Sequence, residues 1–139
     1  MYKRILVPLE HSPYDAVILA HVRQLARLCG ASLVLFHVAD GFVARNIKQL
    51  NLRESEEMQH DREYLERLCA ELTADGFDAD PLLGAGDPAE EIVAAAELEH
   101  CDLIAMATHG YKWLQDVLHG STASAVRHAT RIPVLMVRG

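Results

Sequence analysis

Four mostly apolar runs dominate the chain: Arg4-Ile-Leu-Val-Pro-Leu9, Ala31-Ser-Leu-Val-Leu-Phe-His-Val38, Asp102-Leu-Ile-Ala-Met-Ala107 and Ile132-Pro-Val-Leu-Met-Val137. A strand that is apolar at consecutive positions must be covered on both faces, which is the condition of a parallel sheet with crossover helices on each side. Stretches of helical periodicity separate the runs, and a fifth, less apolar run, Phe77 to Leu83, suits a sheet edge. The expected fold is α/β, a five-stranded, mostly parallel sheet with helices on both faces. With 139 residues, half of them apolar, the chain is long enough to bury a core as one domain spanning 1–139.

Ser12-Pro13-Tyr14-Asp15 combines a capping hydroxyl, a proline and an early carboxylate, and so predicts a helix start capped by Ser12. Ile18, Val22, Leu25 and Cys29 follow at helical spacing, and Gly30 ends the helix. The stretch from Asp40 to about Gln49 has weak periodicity and is expected to be a mobile surface loop. From Ser55 to Asp75, Met58, Leu65, Leu68, Cys69 and Leu72 mark the apolar face of a long helix closed by Gly76. Asp87-Pro88-Ala89-Glu90 opens another helix, carrying Ile92, Val93 and Ala96, and Ser121 to Ala129 reads as a short last one.

A formal charge of −7, with acidic and basic residues mixed along the helices, offers no phosphate-tracking surface and argues against a nucleic-acid partner. Cys29, Cys69 and Cys101 form no Cys-x-x-Cys pair, and their odd number suits reduced packing residues. The Met1-Tyr-Lys-Arg opening lacks the apolar length of a signal peptide, and no stretch approaches a membrane span, so the expected address is the cytoplasm. The sequence contains no Gly-x-Ser-x-Gly elbow, no Walker loop and no carboxylate pair placed for acid–base work, which disfavours an efficient enzyme. His109, His119 and His128 lack the one-turn spacing of a zinc site, so no metal site is expected from protein side chains.

In a sheet of this kind ligands lie outside the carboxyl ends of the strands, where strand order reverses. The fourth run ends in Ala107-Thr108-His109-Gly110, and nine residues later comes Gly120-Ser121-Thr122 at the start of the last helix. Glycine after a strand lets the backbone approach a ligand, and a Gly-Ser-Thr helix start offers amides, hydroxyls and a positive dipole end: a phosphate cradle. Gly84-x-Gly86-x-x-Ala89 also fits a dinucleotide fingerprint, but Asp87 places a carboxylate at the amides a pyrophosphate would need. That motif is read as a decoy. His37, inside a buried strand, is read as a core histidine, and Trp113 as a residue that packs at the mouth of the loop between the two glycines or against a partner.

With these residues in view the chain resembles the universal stress protein family, whose nucleotide-binding members carry Gly-x-x-Gly, nine residues, then Gly-Ser or Gly-Thr. Gly110 and Gly120 match the second and third glycines, and Ala107 stands at the first. The opening Ile5-Leu-Val-Pro-Leu-Glu10-His-Ser12 is similar to the family's first strand, which ends in Pro-x-Asp-x-Ser, with Glu10 one methylene longer than that aspartate. The closing Pro133-Val-Leu-Met-Val137 is similar to its last strand. The resemblance implies a Rossmann-like sheet of the adenine nucleotide alpha hydrolase type, a stress-response role and ATP, with Mg2+, as ligand. Pro8, Leu9 and Val38 would border the adenine, and Glu10 would stand at the ribose. Ala107, Thr108, His109 and Gly110 would pass the ribose and phosphates, and Gly120, Ser121, Thr122 and Ala123 would hold the phosphates. On this reading ATP orders a loop that a regulatory protein partner reads, with at most slow hydrolysis. The last strand, apolar and at an edge, is expected to form a homodimer, as the resemblance also implies. The alternative is a nucleotide-free homodimeric interaction module of the same family.

Overall fold

The computed structural model describes residues 1–40, 42–108 and 122–138. Strands β1 (Arg4–Pro8), β2 (Ser32–Ala39), β3 (Ala79–Ala85), β4 (Leu103–Ala107) and β5 (Val134–Val137) form one sheet in the order β3-β2-β1-β4-β5. All four pairings are parallel, with Pro8 beside Phe36, Val38 beside Gly84 and Ala107 beside Val137. The helices are α1 (Asp15–Cys29), α2 (Phe42–Leu50), α3 (Glu56–Ala74), α4 (Pro88–Leu98) and α5 (Thr122–Ala129).

The consecutive apolar residues of β1 are buried on both faces, as their pattern requires. Ile5 and Val7 join Ile18 and Val22 of α1 and Leu65 and Leu72 of α3 in one cluster, while Leu6 joins Ile92 and Ala96 of α4 and Val126 of α5 in another. Each such fully buried Val, Leu or Ile side chain contributes about 1.5–3 kcal/mol relative to exposure. Together they outweigh any single cap or ion pair in setting which residues are strand.

Three local expectations change. Residues 12–14 form a turn, and α1 begins at Asp15 with no side-chain cap at Tyr14. The Asp40–Gln49 stretch is largely helical, because Ala44 of α2 is buried with Ala39 of β2 and Met58 of α3, and Val43 and Ile47 pack against that cluster. The third strand lies two residues later than its hydrophobicity suggests, with Phe77 buried ahead of it beneath Arg23 and Arg27. Two other long helices are capped by side chains, α4 by Asp87 as its sequence predicts and α3 by Ser55. Ser55 Oγ accepts the Met58 amide at 3.2 Å, and Asp87 Oδ2 accepts the Glu90 amide at 3.0 Å.

Candidate functional site

Strand order reverses at β1, which has β2 on one side and β4 on the other, and in sheets of this kind ligands lie outside the carboxyl ends of the strands at such a point. The chain places Pro8, Leu9 and Glu10 at the end of β1, Val38 near the end of β2, and Ala107 and Thr108 at the end of β4. Thr122 and Ala123 open α5, where Ala123 shares a buried cluster with Val38 and Met106. Thus eight of the residues singled out by sequence meet at one edge. His109, Gly110, Gly120 and Ser121, with Trp113 and His119, lie outside the described residues.

Backbone bonds carry the sheet past its nominal ends. The Leu9 amide donates to the Phe36 carbonyl at 2.7 Å, and the Thr108 amide donates to the Val137 carbonyl at 2.9 Å. His37 is buried, and its Nδ1–H donates to the Leu9 carbonyl at 2.7 Å, the satisfied core role read from its place in β2. Glu10 is 1% exposed, and Ser12 Oγ donates to its Oε2 at 3.4 Å. The Glu10 carboxylate is therefore an inward-held group, not a solvent-exposed one.

The turn carrying Glu10 is organised by Asp15. Its Oδ1 accepts the Glu10 amide at 2.9 Å, and its Oδ2 accepts the amides of His11 at 2.9 Å and Ser12 at 3.2 Å. Three successive amides converge on one carboxylate, a nest that fixes the turn. Within it His11 has φ of 60°, in the left-handed region that costs a non-glycine residue about 1–2 kcal/mol.

Sequence reading missed the side chains that hold His11. Its Nδ1–H donates to Asp61 Oδ1 at 2.6 Å, and its ring stacks on Tyr64 with centroids 3.9 Å apart. His37 Nε2 lies 3.6 Å from the same Asp61 oxygen. The Tyr64 hydroxyl donates to Asp15 Oδ2 at 2.6 Å, and burial first, then that bond, raise its pKa well above the ordinary tyrosine value. One signal was present. Asp61 stands three residues after Met58 and four before Leu65, a carboxylate on the apolar stripe of α3, where a buried charge demands a partner.

The glycines of the Gly84-x-Gly86-x-x-Ala89 motif serve packing. A Cβ on Gly84 would stand 2.7 Å from the Phe36 ring, and Gly86, at φ of 140°, lies against Glu91. Among the described residues no cluster of three or more His, Cys, Asp or Glu is arranged to hold a metal ion.

The model of the universal stress protein family matches residues 1–138. Universal stress protein MJ0577 of Methanocaldococcus jannaschii is 30% identical over 158 residues, covering 99% of this chain and 96% of that protein. Its solved structure is similar with a TM-score of 0.82 and 31% identity, over 100% of this chain and 97% of that one. A universal stress protein from Archaeoglobus fulgidus solved with dAMP has a TM-score of 0.71 at 20% identity, covering 97% of each chain. A further solved universal stress protein, in complex with cAMP, has a TM-score of 0.70 at 20% identity, covering 99% of this chain and 97% of its own. With its sheet order, its first-strand turn and the family match in agreement along its length, the chain belongs to the universal stress protein family.

Proposed function

We propose that this protein, as one domain, binds ATP or a related adenine nucleotide at the carboxyl edge of its sheet and acts as a stress-response regulatory module. The observation that carries the reading is the meeting of Pro8, Leu9, Glu10, Val38, Ala107, Thr108, Thr122 and Ala123 where strand order reverses. Leu9 and Val38 offer an apolar border for the base, Glu10 a carboxylate for the sugar hydroxyls, and Thr122 a hydroxyl at the start of α5. These groups fit an adenine nucleotide, and relatives of the same fold hold dAMP and cAMP. His109, Gly110, Gly120 and Ser121 supply the rest of the phosphate side in this reading, with Mg2+ on the phosphates. The protein works as a binding module in the cytoplasm, with at most slow hydrolysis, and presents its nucleotide-ordered loop to a regulatory protein.

Mass spectrometry of the denatured, purified protein tests occupancy, and a copurified adenine nucleotide is the expected result. Calorimetry tests affinity. Gly110→Val or Gly120→Val is expected to raise the ATP Kd at least tenfold, about 1.4 kcal/mol, because a branched side chain crowds the phosphates. No binding by the unmodified chain at millimolar ATP would sink the reading.

The burial of Glu10 and the methyl of Ala107 favour a second reading, a nucleotide-free homodimeric interaction module. Both readings include a homodimer through β5, an edge strand whose Met136 is 42% exposed. Lysine at both Val134 and Met136 should give a monomer in sedimentation, and an unchanged dimer would reject this pairing.

A further inference from the structure

The turn after β1 is held from outside its own hairpin of strand and helix. Asp15, 3% exposed, gathers the amides of residues 10–12, and it does so while accepting a fourth bond from Tyr64 on α3. An aspartate in a helix's first turn ordinarily serves the amides of that helix. Here both oxygens face back into the turn. Asp61, one helical turn before Tyr64, takes the Nδ1–H of His11, and the Tyr64 ring covers the imidazole face with planes at 18°. The left-handed backbone of His11 thus persists because three groups over-determine it: the Asp15 carboxylate at its amide, Asp61 at its ring nitrogen and Tyr64 at its ring face. Glu10 is the neighbour whose direction that backbone sets.

We propose that Tyr64 and Asp61 are positioning residues for the nucleotide crevice, acting from α3 through Asp15 and His11 to hold residues 10–12, and with them the inward-held Glu10 carboxylate, in their conformation at the end of β1. The inference rests on the nucleotide reading above and adds to it that affinity is set in part from α3. The Tyr64 hydroxyl remains a donor throughout the physiological range, so the hold on Asp15 is constant. Removing that hydroxyl leaves the ring, and with it the stack on His11, in place. The loss is then confined to the bond that orders the turn.

The test compares the full chain with Tyr64→Phe, Asp61→Asn, Glu10→Gln and the double variant Tyr64→Phe with Glu10→Gln. Calorimetry gives the ATP Kd, and hydrogen exchange by NMR gives the protection of the amides of residues 10–12 without nucleotide. Tyr64→Phe is expected to speed exchange at those amides about tenfold, leaving β4 amides unchanged, the signature of a local opening. Tyr64→Phe and Asp61→Asn are each expected to raise Kd about fivefold, the scale of one hydrogen bond to a charged group partly transmitted to the ligand. In the Glu10→Gln background the Tyr64 change should raise Kd less than twofold, because the route through Glu10 is already lost. A structural role in the fold alone gives effects that multiply. The inference is overturned if the unmodified chain binds ATP and Tyr64→Phe leaves Kd unchanged, or if the two changes multiply. If the unmodified chain binds no nucleotide, the functional reading fails and this inference fails with it.

Discussion

The β1–α1 and β3–α4 junctions stand at the same edge of the sheet, each joins a strand to a helix, and each uses an aspartate, with opposite results. At β3–α4 the connection is residues 86–87, and Asp87 precedes its helix and spends its carboxylate on the Glu90 amide. That helix start is closed to an anion. At β1–α1 the connection is residues 9–14, and Asp15 lies inside its helix and turns back onto the amides of residues 10–12. The carboxylate there builds a turn that carries Glu10 to the strand-order reversal. The difference teaches that an aspartate near a helix start is a cap when it precedes the first helical residue and can be an anchor when it is that residue.

Chemical denaturation gives the sharpest way to break this comparison. Asp15→Ala orphans three amides and the Tyr64 hydroxyl around a buried position, and is expected to cost about 3 kcal/mol. Next in size, Gly84→Ala should cost about 2 kcal/mol, since its Cβ would press on the Phe36 ring, while the ATP Kd stays as it was. A weakened Kd in that variant would return the Gly84-x-Gly86 motif to the list of ligand contacts. Asp87→Ala removes one ordinary cap, so about 1 kcal/mol is expected, again with no change in Kd. Equal losses for the Asp15 and Asp87 variants would show that both aspartates are simple caps.

The smallest effect belongs to a third carboxylate, at the opposite edge of the sheet. Asp102 accepts the amides of Lys3 at 2.9 Å and Arg4 at 3.1 Å, and although burial opposes the change, these bonds hold its pKa below the ordinary aspartate value. A lowered native pKa means stability that is complete above the unfolded value and lost as pH falls through the native one. Asp102→Asn should therefore lower stability slightly at neutral pH, leave it nearly unaltered below the native pKa of the carboxylate, and so flatten the acid limb of the stability curve. An acid limb as steep as that of the unmodified chain would contradict the assignment.

The strands and long helices were legible because their patterns are decided locally: contiguous apolar residues demand cover on two faces, and Ser55 and Asp87 bond amides three residues away. The α2 helix was not legible, since its apolar residues become decisive only when Ala39 and Met58, from β2 and α3, arrive to cover them. Ser12 was misread as the cap of α1. Its amide is claimed by Asp15, and its hydroxyl accepts the Tyr14 amide at 3.3 Å within the turn and donates to Glu10, so that α1 starts only at Asp15.

The candidate site divides in the same way. By itself the sequence determined the parallel sheet, the edge at which Glu10, Ala107 and Thr108 emerge, and the absence of a free helix start after β3, because strand burial and short-range capping are properties of neighbouring residues. Only the tertiary structure decided that Glu10 is held inward and that His11, Asp61, Tyr64 and Asp15 form one network across 54 positions of sequence, from His11 at one end to Tyr64 near the other.

 Residues that far apart meet only after β1, α1 and α3 have packed. A buried carboxylate must then find its donors wherever the fold has brought them, and no local pattern records that requirement.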